Sequence, residues 1–88
     1  MEIFNQENLS ENTFFRTFTE DISKDQLVWH YDLKDRYITV ILASNWMFQF
    51  DDELPIKLED NQKIFIPKLK YHRIIKGDGD LKIKIEQV

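Results

Sequence analysis

The chain has two histidines, His30 and His72, and the first has a carboxylate two positions on, in Trp29-His30-Tyr31-Asp32. In an extended strand, residues i and i+2 point to one face. His30 and Asp32 therefore present an imidazole and a carboxylate side by side, two donor types that suit a divalent ion. His72 lies five residues after Pro67, in Ile66-Pro67-Lys68-Leu69-Lys70-Tyr71-His72. There is no Cys, so disulfides and thiolate metal sites are excluded. No Ser-His-Asp arrangement, phosphate-binding glycine loop or nucleotide fingerprint is present.

The elements that must position these residues are short strands. At 88 residues and 10.7 kDa the chain is one domain (1–88), because a core of this size does not divide. It reads as an N-terminal segment, 1–25, followed by a barrel over 26–86. Aromatic residues make up 14% of the chain, enough large side chains for a core despite its length. Leu81, Ile83 and Ile85 alternate with Asp80, Lys82, Lys84 and Glu86, a strand with one buried face. Gly77-Asp78-Gly79 reads as a hairpin turn whose glycines take positive φ, pairing residues 71–76 with that last strand.

Trp46, Phe48 and Phe50 mark another strand with its aromatics in the core. Ile56 and Leu58 mark a short one, and residues 63–66 a third that stops at Pro67. Between the last two, Asn61 suits a left-handed turn. Residues 36–43 carry apolar side chains of both parities and read as a strand buried on both faces. Residues 26–32 read as one more. In the N-terminal segment, Asn8-Leu9-Ser10-Glu11 has the form of a capping box that opens a helical turn. Phe14, Phe15, Phe18 and Ile22 fit a helix face, while Phe14-Arg16-Phe18 fits a strand over 14–19, favoured because its neighbours are all sheet. The class is all-β, an antiparallel sandwich or barrel preceded by a short irregular or helical segment.

The spacing resembles the cupin family. Its second motif has a glycine-led turn, five residues, a proline, and a histidine five positions on; Asn61, Pro67 and His72 match it, with Asn in place of Gly. Its first motif has His-x-His with a carboxylate five residues later; His30 matches, Asp32 replaces the second His, and Tyr37 stands where the Glu belongs. Leu69 replaces a family glycine and Lys76 a family asparagine. The resemblance covers residues 26–86 and implies a small jelly-roll barrel, often dimeric, with one metal inside. It leaves His30, Asp32 and His72, a set that looks like the two-His-one-carboxylate triad of non-haem iron oxygenases and admits Fe, Mn, Ni or Zn. Small uncharacterised cupin-like proteins of marine T4-like phages are also similar, in Val28-Trp29-His30, Asp35-Arg36, Glu53-Leu54-Pro55 and Tyr71-His72-Arg73.

The expected function is a small cupin-like protein with a divalent-metal or small-ligand site at His30, Asp32 and His72. Tyr37 is expected to supply a proton, and Arg36 to bind an anionic ligand at the barrel mouth or pair with Asp32 or Asp35. The alternative is a non-catalytic interaction module, homodimeric and without metal, its barrel packed shut by Trp46, Met47 or Phe48. Whether the protein is an enzyme, and on what substrate, is left open. Trp29 and Tyr31, facing away from His30 and Asp32, are expected under the N-terminal segment or a second subunit. The net charge of −4 argues against nucleic acid as the main partner. The basic cluster of Lys68, Lys70, Arg73 and Lys76 around Tyr71 reads as a solvated strand edge. No apolar run is long enough for a bilayer span, and no signal peptide is evident, so a cytoplasmic location is expected.

Overall fold

The computed structural model describes residues 4–88; the first three residues of the N-terminal segment lie outside them. Eight strands follow in the described residues: β1 (Asn5–Asn8), β2 (Thr13–Phe18), β3 (Arg36–Leu42), β4 (Met47–Phe50), β5 (Ile56–Lys57), β6 (Lys63–Ile66), β7 (His72–Ile75) and β8 (Leu81–Gln87). Five make a sheet in the order β1-β2-β8-β3-β6, and three make a second in the order β5-β4-β7. All pairings are antiparallel. No described helix is long and apolar enough to cross a membrane.

Alternation dictates which face each strand buries. Along β8, Leu81, Ile83 and Ile85 are buried, and Ile38 and Val40 of the adjacent β3 lie beside Ile85 and Ile83 on the same sheet face. Phe14 and Phe18 of β2, Ile66 of β6 and Phe48 of β4 complete the apolar layer between the sheets, with Trp46 wholly buried just before β4. Each such side chain contributes roughly 1.5–3 kcal/mol by leaving water. The Trp46 indole N–H is satisfied by the Gly79 carbonyl at 2.7 Å.

Several expectations are corrected. The N-terminal segment is not helical: β1 and β2 form a hairpin, and residues 9–12 are its turn, closed by Leu9 and Ser10 donating to the Thr13 carbonyl. A capping box does exist, at Ser23–Gln26, where it opens a short 3-10 turn (Lys24–Gln26). That turn and an extended stretch replace the strand expected over 26–32; only His30 pairs, in a lone bridge to His72. Residues 36–43 are buried on one face only. Ile38 and Val40 point inward, while Tyr37, Ile41 and Leu42 are exposed on the outer face of the larger sheet, which no described strand or turn covers.

The last two strands are not a hairpin. β7 pairs with β4 and β8 lies between β2 and β3, so residues 76–80 cross from one sheet to the other. Neither glycine there has positive φ. Gly77 is needed for space instead: a Cβ would collide with the Ser44 carbonyl oxygen and lie 2.5 Å from the backbone of Asn45 and Trp46. Asn61 does adopt the left-handed conformation, with φ 70°.

Nor is the barrel closed. No ladder joins the two sheets, because the elements along the seam are too short: β5 has two residues, and the chain beside β7 contributes one bridge. A cavity of about 340 Å³ lies between the sheets.

Candidate metal centre

Two distant stretches of chain carry the three donors. His72 opens β7, directly after a turn in which Leu69 takes φ 65°. The Leu69 amide donates to the Asp32 carbonyl at 2.8 Å and the Lys68 amide to the Asp35 carboxylate at 2.7 Å, tying this turn to residues 32–35. The His30 amide donates to the His72 carbonyl at 3.0 Å, and the His72 amide to the His30 carbonyl at 2.9 Å. This bridge sets the rings edge to face, with centroids 4.4 Å apart. Phe48 stacks on His72 at 5.7 Å.

One donor atom from each of His30, Asp32 and His72 lies within 4.8 Å of the others. His72 is 4% exposed. Both Nδ1 atoms face carbonyl oxygens, Val28 O at 3.0 Å for His30 and Lys70 O at 2.8 Å for His72. A carbonyl only accepts, so each Nδ1 carries the hydrogen, and in a neutral ring Nε2 presents a lone pair. The His72 Nε2 sits 3.3 Å from Asp32 Oδ2, an oxygen buried without a hydrogen-bond partner. Two acceptors facing each other in a dry site need a cation between them, either a proton on His72 or a metal ion. The donor set therefore fits a divalent ion.

The other oxygen of Asp32 is held by Arg36 at 3.2 Å. Arg36 is fixed in turn, donating through Nε and Nη2 to Gln87 Oε1 at 3.1 and 2.9 Å. Burial works to raise the Asp32 pKa, but the close approach of His72 and the Arg36 charge outweigh it and hold the carboxyl below its ordinary value.

The cavity is where these side chains meet. His30, Asp32, Arg36 and His72 line it together with apolar side chains from both sheets, among them Ile38, Val40, Phe48, Leu58 and Ile83. Trp46 does not fill it. Tyr37 is not among its lining residues: the alternation that sends Ile38 inward puts Tyr37 on the outer face, 53% exposed and against Phe65 at 5.0 Å. The proton-donating role expected of it has no place in this geometry. Trp29 and Tyr31 lie outside, 40 and 45% exposed, and the N-terminal hairpin does not cover them. Arg73 stacks over Trp29 at 4.6 Å and bonds Gln49, and Lys70 pairs with Asp52 at 2.9 Å, so the basic run is partly neutralised by its neighbours.

Sequence reasoning missed Gln87, whose amide fixes Arg36, and the Val28 and Lys70 carbonyls that set both ring tautomers. Backbone partners leave no residue-type signal.

No protein-family model matches the sequence, and no curated protein is significantly similar to it. Solved structures are similar in shape. A cupin-2 domain containing protein from Shewanella frigidimarina aligns with a TM-score of 0.67 at 20% identity, over 93% of this chain and 76% of its own. A cupin 2 conserved barrel domain protein from Leptotrichia buccalis aligns with a TM-score of 0.72 at 16% identity, over 98% of this chain and 40% of its own. The fold is that of the cupins. FeII HppE is similar too, with a TM-score of 0.66 at 13% identity, over 86% of this chain and 41% of its own. The chain thus spans less than half the length of the last two. This cupin fold brings together a His/Asp/His group whose donor atoms could hold a metal ion.

Proposed function

We propose that the protein binds one divalent ion through His30, Asp32 and His72 and presents it to a small molecule in the cavity. The observation that carries this reading is the convergence of one donor atom from each of His30, Asp32 and His72 within 4.8 Å, with the buried Asp32 Oδ2 3.3 Å from the His72 Nε2. Fe, Mn, Ni and Zn all accept such donors. A bound ion would supply Lewis acidity with positions left open for a ligand. The protein's own part is to fix both tautomers through Nδ1, to hold Asp32 with Arg36, and to exclude water with the Phe48 and Ile38 walls. The cavity speaks against an interior packed shut. A homodimer belongs to the same reading, supported by the part-exposed aromatics Trp29 and Tyr31 on the outer surface; a monomer mass by light scattering at high concentration would remove it.

Metal analysis of untagged protein tests the site. One equivalent of ion in the wild type, lost in His30→Ala and His72→Ala, is the expected result. Equal sub-stoichiometric metal in wild type and variants overturns the reading.

A further inference from the structure

The charges around Asp32 say what kind of ligand the cavity takes, an inference that rests on the metal reading. Asp32 is the only anionic donor of the three, and Arg36 lies 3.2 Å from its Oδ1, with the two side chains 12 and 13% exposed. The guanidinium cancels the carboxylate's charge. Arg36 is also anchored to Gln87 through Nε and Nη2, so it is not free to swing into solvent. A divalent ion bound here would keep both its positive charges uncompensated beside the buried Asp32 and His72 side chains, an arrangement that favours an anion joining it. Behind the donors the wall is apolar, with Ile38, Val40, Phe48, Leu58 and Ile83 lining it, so a wholly hydrophilic anion would leave that wall wet.

We infer that the ligand is a small monoanion with an apolar body, of the class of short- to medium-chain carboxylates. Its oxygen head lies at the ion beside Arg36, and its body lies against Val40, Phe48 and Ile83. The cavity of about 340 Å³ limits its size. At about 30 Å³ for each water-sized group in a liquid, it admits roughly ten non-hydrogen atoms.

The test is calorimetric titration of Zn(II)-loaded protein with straight-chain carboxylates from acetate to octanoate and with 1-alkanols of matching length. Affinity for the acids is expected to rise about three- to fourfold per methylene until the cavity is full. Each acid is expected to bind at least about tenfold more tightly than its alcohol. Val40→Ile, which adds one carbon to the wall, is expected to move the optimum to a shorter acid. If zinc loads at one equivalent but acids bind no better than alcohols, or affinity is flat with length, this inference is overturned and the metal site stands. An unmoved optimum in folded Val40→Ile overturns the placement of the body. If no ion loads, both readings fall.

Discussion

His30 and His72 exchange both backbone hydrogen bonds, at 3.0 and 2.9 Å, and so hold their imidazoles edge to face across the seam between two stretches of chain. An ion shared by the two rings and Asp32 exists only while that pairing holds. Binding to the folded state alone stabilises it by about 2.7 kcal/mol at a hundredfold excess over Kd. For a domain of this size that is a rise in Tm of roughly 10 °C or more. Thermal melts with and without Zn(II) check it; the rise is expected to vanish in His30→Ala, whose exposed ring contributes little to the core.

The metal-free protein carries its own pH signature at Asp32. Its carboxyl is held below the ordinary 3.8, so it is more acidic folded than unfolded. A depressed group contributes stability in full above its unfolded value, and that contribution drains away as pH falls from about 3.8 through the folded value. Urea unfolding of apo protein from neutral to acid pH is expected to show this loss, and Asp32→Asn to flatten that part of the curve.

Leu69 is a left-handed residue without the freedom of glycine, at φ 65° and with its side chain 58% exposed. That conformation costs a residue with a Cβ about 1–2 kcal/mol, against which glycine's extra unfolded-state entropy sets roughly 0.5–1 kcal/mol. Leu69→Gly is expected to gain about 0.5–1 kcal/mol in chemical denaturation. Leu69→Ala, which keeps the strain, is expected to gain nothing.

The two glycines between β7 and β8 differ in what surrounds them. At Gly77 a methyl group meets main chain, which does not yield, whereas at Gly79 it meets only the Ser44 side chain at 3.3 Å. Gly77→Ala is expected to cost about 2–3 kcal/mol by overpacking and Gly79→Ala well under 1 kcal/mol, read as the difference in denaturation midpoint. Equal losses would show that the packing of residue 77 on Ser44 is not what the glycine serves.

Much of the larger sheet was legible because its cues are local. The Leu81, Ile83 and Ile85 alternation and the stop at Pro67 each report on their own backbone. Partner choice is not local. Residues 71–76 have strand character that says nothing of β4 against β8, and the Gly77-Asp78-Gly79 turn signal pointed to the wrong neighbour. Residues 26–32 have β-forming side chains, yet whether an extended stretch finds one partner or six depends on what lies beside it. The two histidines stood out by residue type, since the chain has only two, and Asp32 stood out among many carboxylates by its place two residues after His30. At Tyr37 motif spacing and strand parity disagree, and parity wins: Ile38 points inward and Tyr37 outward. The capping-box pattern at Asn8–Glu11 is taken up by the β1–β2 hairpin, while the box that does form lies at Ser23–Gln26.

The lone bridge between residues 30 and 72 makes a slender join of the molecule also a chemically equipped one. Two amide bonds there, worth about 1 kcal/mol each, and a third from Leu69 to the Asp32 carbonyl join the two stretches, so an occupant held by both acts as a clasp across them. Amide protons at those positions should trade with solvent far sooner than those of β8 in the empty protein, and slow towards them once the clasp is shut.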